Sequence, residues 1–333
     1  MSTEPTRLPP DDLIASQLGL SRLGHFSWRH FFGKCWATHD REEMEKVLIR
    51  GTAQTTPCLS SNMKNWPQPW VFLRVLSASV VSYLAIYWIL AVYQQQALVL
   101  LPALMVIGSF AIPLSVLVLF FEINTPHNIS LFYIATLGLL GGAISFLLTF
   151  LLFDYFAILT MAYGDSAAGF VEESAKLLGL LFFVRKDISK RYPYLLNGLL
   201  LGATIGTGFS AFESAGYALR AGMESNSFAQ LNINLVLRGL LSPFSHVVWS
   251  AMAAGAFWLA FRDNHNFFKS IFSARFGSLF ILSLVFHFCW NLNLDWPLWA
   301  TIMKNLCIGV LSWAVILRMV QTGLSEFSSF DEK

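Results

Sequence analysis

The chain has 333 residues, of which 55% are apolar and only 13% are charged, and its mean hydropathy is +0.56. Soluble globular domains carry about 25% charged residues, so this composition excludes an ordinary soluble protein and predicts that most of the chain lies in lipid. The formal net charge of +2 is too small to indicate a nucleic-acid partner. The lipid bilayer is therefore an expected partner, and nucleic acid is not.

The first 69 residues are mostly polar and contain no early apolar run of the signal-peptide type. The stretch "THDREEMEKVLIRG" predicts a short helix, with Asp40 as N-cap and Gly51 as its stop. The stretch "GHFSWRHFFGKCW" mixes aromatic and basic residues, which suits either a segment on the bilayer surface or an aromatic-cored docking segment. We predict a cytoplasmic or interfacial segment over residues 1–69, without chemistry of its own.

Eight apolar runs follow, each close to the roughly 20 residues that a helix needs to cross the hydrocarbon. The fourth and the seventh run are short and are interrupted by polar residues. The fold class predicted is therefore all-α, a polytopic membrane helix bundle of about eight transmembrane helices. The runs are Trp70–Tyr93, Ala97–Glu122, Ile129–Phe153, Ala167–Val184, Leu195–Leu219, Leu235–Phe261, Phe276–Asn291 and Leu298–Val320.

The basic residues predict the orientation of these helices, because cytoplasmic segments carry an excess of Lys and Arg. With the N-terminus inside, the inner segments hold 18 of these residues and the outer flanks hold three, while Lys176 lies within a span. We expect a multi-pass protein of the cell (inner) membrane with both termini cytoplasmic. Its parts would be the segment 1–69, helices 1–3 over 70–160, a core of helices 4–7 over 161–293, and helix 8 with a tail over 294–333.

Strongly polar residues lie inside helices 4 to 7. In the predicted orientation, Glu172, Glu213 and His246 lie roughly 8–12 Å below the outer surface, and so does His287. Ionisable groups in hydrocarbon are costly and mark functional sites by default, although each residue alone could be structural. The set on one level predicts a functional site. Its members are Glu172, Glu173, Lys176, Glu213, His246, His287 and Asn291.

Helical spacing indicates that neighbouring members of this set lie on the same face of their helix. The pairs Glu172–Lys176 and His287–Asn291 are each four residues apart, as are His246 and Ser250, and such pairs share one helix face. Lys176 lies on the order of 13 Å from the nearer aqueous edge, so it needs a carboxylate partner. Glu172 or Glu173 is expected to serve.

Several chemistries fit this set. A buried carboxylate can act as general base for a water molecule, and histidine or asparagine can donate hydrogen bonds to a developing oxyanion. No serine or cysteine lies in a clear nucleophile position, so water-mediated amide hydrolysis without a cofactor is favoured. Zinc remains an alternative, with His246, His287 and Glu213 as ligands. No HExxH motif supports that version, and the four cysteines lack the spacing of a structural zinc site.

The motifs resemble those of the PrsW family of intramembrane proteases, which is related to the type II CAAX prenyl endopeptidase and bacteriocin-processing group. The resemblance covers about residues 167 to 293. It rests on "EESAK" at Glu172, "FSAFE" at Glu213, "SPFSH" at His246 and "HFCWN" at His287 and Asn291. It implies an intramembrane endopeptidase of glutamic type rather than a metallopeptidase.

The resemblance also implies residue roles. Glu172 would activate water, Glu173 and Lys176 would tune and hold it, and His287 with Asn291 would form the oxyanion site. Glu213 departs from the prenyl-protease pattern, which has a histidine there, and this argues against prenylated substrates. The implied substrate is a single-span membrane protein cut near the outer face, such as an anti-sigma factor in its first cleavage step.

Two other functions remain open from the residues alone. A proton-coupled transporter could also use a chain of glutamates and histidines. Few polar groups other than Lys176 lie in the inner half of helices 4 to 7, however, and this asymmetry disfavours a pathway that reaches both faces. A scaffold without catalytic activity is the other alternative, and the full polar set argues against it.

Overall fold

The computed structural model describes residues 27–40, 43, 48–52, 54–57 and 66–328. These residues form helices and turns, and none of them lies in a β-strand, so the all-α fold class is confirmed. Most of the 1–69 segment lies outside the described residues, including the greater part of its predicted helix. At the start of that predicted helix, the Asp40 carboxylate accepts a hydrogen bond of 2.8 Å from the backbone N–H of Glu43.

The helices follow one another closely along the chain. A π-helical turn over Leu137–Gly141 joins α4 to α5, and 3₁₀ turns cover Gln94–Leu100, Gly164–Ala167 and Ser242–Phe244. The helices are α1 (Trp28–Phe31), α2 (Val71–Tyr93), α3 (Leu101–Ile123), α4 (Leu131–Thr136), α5 (Gly142–Tyr155), α6 (Ala157–Tyr163), α7 (Ala168–Val184), α8 (Leu195–Ser225), α9 (Phe228–Leu241), α10 (His246–Asn264), α11 (Phe267–Ile271), α12 (Ala274–Asn291) and α13 (Leu298–Ser328).

Six helical segments within the described part of the chain are long and apolar enough to cross a membrane. They are Val71–Tyr93, Ala97–Ile123, Leu131–Tyr155, Leu195–Ser225, Phe228–Asn264 and Leu298–Phe327. Helices α7 and α12, which correspond to the fourth and seventh predicted runs, have only 17 and 18 residues. The polytopic helical bundle is thus confirmed, while the count of eight crossings and their orientation stay predictions.

The sixth predicted run, Leu235–Phe261, lies within the helical segment Phe228–Asn264, which contains a break that was not predicted from the sequence. The 3₁₀ turn Ser242–Phe244 separates α9 from α10. Pro243 explains the break, because proline has no N–H to donate and its ring clashes with the preceding turn of an α-helix. The indole N–H of Trp313 on α13 donates a 2.8 Å hydrogen bond to the Pro243 carbonyl and so supports the turn.

Helix α8 lies at the centre of the bundle and is buried over most of its length. It packs most extensively against α10, and also against α3, α5 and α9. A Cβ atom at Gly206 would lie 2.5 Å from the His246 carbonyl oxygen, so the lack of a side chain lets α8 and α10 approach at this level. Helices α7 and α12 pack against each other and against α10. Four helices, α7, α8, α10 and α12, therefore surround one interior space.

Two glutamates accept hydrogen bonds from backbone N–H groups that have no partner within their own helix, at the starts of other helices. The Glu122 carboxylate, at the end of α3, accepts hydrogen bonds of 2.7–2.9 Å from the backbone N–H groups of Trp70, Val71 and Phe72 at the start of α2. Glu326 of α13 accepts a 3.2 Å bond from the Leu195 N–H at the start of α8. Unpaired N–H groups are costly in lipid, and these carboxylates pair them. Because each carboxylate comes from another helix, it also links two helices that are distant in sequence.

Candidate functional site

Six of the seven predicted site residues meet in one buried cluster. They come from the four helices that surround the interior space, near the start of α7, the start of α10 and the end of α12, and in the middle of α8. All six are less than a tenth exposed. They are Glu172, Glu173 and Lys176 on α7, Glu213 on α8, His246 on α10 and His287 on α12.

Lys176 forms the charged centre of the cluster. Its ammonium nitrogen lies 2.6 Å from Glu173 Oε1 and 3.7 Å from Glu172 Oε2. The same nitrogen lies 4.2 Å from the ring centre of Phe209, at a distance typical of a cation–π interaction. The sequence required one of the two glutamates as a partner, and Glu173, three residues away on the same helix, is the closer one.

His287 is held between a carboxylate and an aromatic ring. Its Nδ1 lies 2.9 Å from Glu173 Oε1, and since a carboxylate only accepts hydrogen bonds, this nitrogen carries the proton. The other nitrogen, Nε2, is then unprotonated in the neutral ring and faces Glu172 Oε2 at 3.7 Å. The indole of Trp249 stacks on the imidazole with ring centres 4.6 Å apart, so the ring plane is fixed.

His246 also contacts a carboxylate through one ring nitrogen, but through Nε2 rather than Nδ1. Its Nε2 lies 2.8 Å from Glu213 Oε2 in an ion-pair contact, and the ring proton is on Nε2 because Nδ1 faces an ammonium, which can only donate. Its Nδ1 accepts a hydrogen bond of 2.9 Å from the Lys176 ammonium and lies 3.8 Å from Glu172 Oε2. Each imidazole thus binds a carboxylate through one nitrogen and presents a lone pair on the other.

Both lone pairs face the same carboxylate. Glu172 Oε2 is buried and has no hydrogen-bond partner within the described part of the chain. One ligand atom from each of Glu172, His246 and His287 lies within 4.8 Å of the other two, which is a spacing that could hold a metal ion. The zinc set expected from the sequence contained Glu213 in place of Glu172. Glu213 lies instead on the far side of His246, where it binds Nε2.

The donor chemistry of this group fits a divalent transition metal. Two histidines and one glutamate are the protein ligands of many catalytic zinc sites. Ligating histidines usually donate their second N–H to a carboxylate or a carbonyl, which fixes the tautomer, and Glu213 and Glu173 accept such bonds here. The position of Lys176 argues the other way, because its ammonium already occupies the lone pair of His246 Nδ1.

Asn291, the seventh predicted residue, lies one turn beyond His287 at the end of α12. Its amide donates a 3.4 Å hydrogen bond to the backbone carbonyl of Asp165, in the 3₁₀ turn before α7. This contact ties the end of α12 to the start of α7. The role of Asn291 in an oxyanion site stays a prediction, as do the individual roles of the other six residues.

Three contacts at the cluster were not predicted from the sequence. Arg238, counted there only as an outer basic residue, lies 2.7 Å from Glu213. Trp249 lies in an apolar run, and nothing in the sequence indicated that its ring would stack on His287. Ser250 Oγ lies 3.5 Å from Glu173 Oε2. For Arg238, a lone basic residue at the depth of buried glutamates was the available signal.

Comparison with known proteins was informative at the level of the family. A family model described as PrsW family intramembrane metalloprotease matches residues 126–320, which is more than half of the chain and contains all seven predicted site residues. Searches of curated proteins and of solved structures found no significant match. With its membrane-crossing helices and buried Glu/His cluster, the chain belongs to the PrsW family of intramembrane metalloproteases and is a multi-pass membrane peptidase.

Proposed function

We propose that the chain is an endopeptidase that hydrolyses a peptide bond of a membrane-anchored protein, and that Glu172, His246 and His287 hold a divalent metal ion. One observation carries this proposal: two imidazoles, each against a carboxylate through one nitrogen, direct their other nitrogens toward the same carboxylate oxygen, which has no hydrogen-bond partner among the described residues. A bound metal of this kind makes a coordinated water nucleophilic near neutral pH and polarises the substrate carbonyl.

The residues of the chain have separable tasks in this proposal. Glu173 and Glu213 fix the tautomers of the two histidines. Lys176 balances the negative charge of the carboxylates in a site from which water is largely excluded. Glu172 Oε2 has no hydrogen-bond partner among the residues that the structure describes, and both imidazoles face it, so it offers a lone pair to a ligand or a water molecule.

A metal-free, glutamic mechanism is the second candidate, and the position of Lys176 favours it. The ammonium lies between Glu173 and His246 at hydrogen-bond distances, so it satisfies groups that a metal ion would otherwise share. In this version Glu172 is the general base that takes a proton from water. Both versions need Glu172, whereas they differ in whether His246 and His287 bind an ion.

The hydrolytic role is tested with purified protein in lipid vesicles and a pool of single-span membrane proteins. We expect Glu172→Gln to lose cleavage by at least about 100-fold, since removal of a catalytic base or ligand costs this much or more. Glu224→Gln is the matched control, because Glu224 is exposed on the same side of the protein and pairs only with Arg220 in the described structure. Equal cleavage by wild type and Glu172→Gln would contradict the proposal.

The two versions are separated by elemental analysis of the same preparations. The metal-dependent version predicts about one zinc or other divalent ion per chain, lost in His287→Ala and in wild type treated with a chelator, together with the activity. Wild type that cleaves its substrate after the metal has been removed would establish the glutamic version. The metal content can be measured without knowing the natural substrate, whereas the cleavage comparison uses the pool of single-span membrane proteins.

The location of the cut follows from the orientation predicted by the basic residues. Glu172 lies near the start of α7 and His287 near the end of α12, and the predicted orientation puts these two helix ends at the outer face of a cell (inner) membrane protein with both termini cytoplasmic. A single-span protein cut near the outer face, such as an anti-sigma factor in its first cleavage step, is the proposed substrate. Mass spectrometry of proteins retained by Glu172→Gln but not by Glu224→Gln tests this assignment.

A further inference from the structure

Arg238 on α9 makes three contacts with one short stretch of α8. Its Nη2 lies 2.7 Å from Glu213 Oε2, and its Nε donates a 3.2 Å hydrogen bond to Ser214 Oγ. The guanidinium carbon lies 4.5 Å from the ring centre of Tyr217. Three different interactions, ionic, hydrogen-bonded and cation–π, therefore determine both the position and the plane of the guanidinium group.

The carboxylate that Arg238 binds is the one that binds His246. Glu213 Oε2 lies 2.7 Å from Arg238 Nη2 and 2.8 Å from His246 Nε2, so a single oxygen atom separates the two side chains. The Glu213 side chain is 10% exposed, while that of Arg238 is 27% exposed. The contact chain thus leads from a water-accessible cation, through a buried carboxylate, to the histidine of the cluster.

We propose that Arg238 is a positioning residue. It holds the Glu213 carboxylate 2.8 Å from His246 Nε2, while the Lys176 ammonium faces Nδ1, so Glu213 and Lys176 together hold the His246 ring with Nδ1 toward Glu172. The effect on catalysis rests on the proposed function, whereas the effect on His246 does not. Lysine could supply the charge, but its single ammonium lacks the planar fork that binds Glu213 and Ser214 while stacking on Tyr217.

Direct binding of the substrate is the competing role for a partly exposed arginine beside an active site. The two roles predict different results when Arg238 and Glu213 are substituted together. If Arg238 acts through Glu213, its loss has little effect once Glu213 is also lost. If Arg238 binds the substrate itself, the two losses add, since independent sites are additive in free energy.

A double-mutant cycle of Arg238→Gln and Glu213→Gln tests this point with the vesicle cleavage assay. We expect Arg238→Gln to lower kcat about 10- to 100-fold, the usual effect of losing a group that orients a ligand, and to change KM by less than about two-fold. In the Glu213→Gln background the same change should alter kcat by less than about two-fold. An equal loss in both backgrounds, or a loss in KM alone, would overturn the proposal.

The state of the His246 ring gives a readout that does not need an activity. With ¹⁵N-labelled histidine, NMR of the protein in lipid should assign the proton of His246 to Nε2 in wild type, and in Arg238→Gln the Nε2–H signal should shift and broaden because the Glu213 carboxylate is no longer held against it. Arg238→Lys should give an intermediate result. An unchanged Nε2–H signal in Arg238→Gln refutes the positioning role, even if the chain proves to cleave nothing.

Two controls separate positioning from general damage to the fold. Arg220→Gln removes an exposed arginine of α8 whose described partner is Glu224, and it should change neither the His246 signal nor the cleavage rate. Methylguanidine added to Arg238→Ala should restore part of the wild-type kcat and the Nε2–H signal, because the site is accessible to water. Failure of both restorations while the protein remains folded counts against the proposal.

Discussion

Two adjacent glutamates, Glu172 and Glu173, have different surroundings although they are neighbours in sequence. Glu173 is fully buried and binds Lys176, His287 and, at 3.5 Å, Ser250. Glu172 has an oxygen without a hydrogen-bond partner among the described residues. The rotation of about 100° between successive helical residues gives the two side chains different neighbours, and in the proposed function Glu173 organises the cluster while Glu172 binds the ligand.

This difference predicts effects of different size for the same substitution at the two positions. Glu173→Gln should destabilise the protein by about 3 kcal/mol, because it leaves the buried Lys176 without its closest counter-charge. Glu172→Gln should change stability by less than about 1 kcal/mol. Thermal unfolding of both variants in the same detergent measures the difference. Equal melting temperatures for the two variants would show that Lys176 is satisfied without Glu173.

His127, in the turn between α3 and α4, makes a pH-dependent contribution to the stability of the folded protein. Its Nε2 accepts a 2.8 Å hydrogen bond from Arg50, which requires a neutral ring. Burial, and secondarily the charge of Arg50, lowers the pKa of His127 to about 4 from an ordinary value of 6.5. The unfolded chain therefore takes up a proton before the folded chain does, and this contribution to stability is lost as the pH falls from about 6.5 towards 4.

The variant His127→Asn tests this contribution. Asparagine tolerates the left-handed backbone of this residue, whose φ is 46°, but it does not titrate. We expect the stability advantage of wild type over His127→Asn to shrink as the pH is lowered from 7 to 4 in unfolding experiments. Parallel stability curves for the two proteins over this range would rule out the linkage.

At this scale the sequence predicted which residue types would meet, but not every contact. Helical spacing and depth were enough to bring Glu172, Glu213, His246 and His287 to one level. They could not predict that the amide of Asn291 would bond to the Asp165 carbonyl, or that Arg238 would reach Glu213. Such contacts depend on the rotation of each helix about its axis and on the loops, which one sequence does not determine.

The helices themselves were predicted well, because long apolar runs have few alternatives to helix in lipid. The exceptions are local departures inside those runs. The third run contains the π-helical turn Leu137–Gly141, and the sixth is broken at Ser242–Phe244. Hydropathy averages over such departures, although Pro243 was a visible signal for the second of them.

The π-helical turn lies against a glycine of α8. A Cβ atom added at Gly208 would overlap the carbonyl oxygen of Gly138, so the backbones of the two elements are in direct contact. We expect Gly208→Ala to destabilise the protein by about 1–3 kcal/mol, the usual cost of overpacking. Gly216→Ala is the control on the same helix, since a Cβ atom there would meet nothing within 4 Å.

Gly216→Ala should instead be neutral or stabilising by up to about 1 kcal/mol, because alanine is the better helix former. Thermal unfolding of both variants in one detergent provides the comparison. If Gly208→Ala unfolds at the same temperature as Gly216→Ala, the contact between α8 and the π-helical turn is looser than described.

For the whole molecule, the distribution of Lys and Arg predicts the orientation. The turn after α7 would be cytoplasmic, and the turn between α8 and α9 would lie outside. Ser189 and Ser225 are exposed in or beside these two turns. In a background without native cysteines, Ser225→Cys should react with a membrane-impermeant maleimide on intact cells, while Ser189→Cys should react only after lysis. The reverse labelling pattern would invert the proposed topology.

The membrane character and the helical architecture could be predicted from composition and hydropathy alone. The enclosure of the cluster by four helices could not, because it depends on which helices become neighbours. Helix α8 takes the central position through close approaches such as the one at Gly206. Small residues that permit these approaches are visible in the sequence, but their partners are not.

The break before α10 has an electrostatic consequence for the cluster. A helix carries roughly half a positive charge at its N-terminus, and α10 begins at His246, whose imidazole lies 2.8 Å from Glu213 Oε2 and 3.8 Å from Glu172 Oε2. The cluster contains three carboxylates and one ammonium, that of Lys176, and Arg238 of α9 adds a second cation beside Glu213. In a continuous helix the backbone dipoles would have cancelled at this level. The interruption at Pro243 instead places part of the missing positive charge where the third carboxylate needs it.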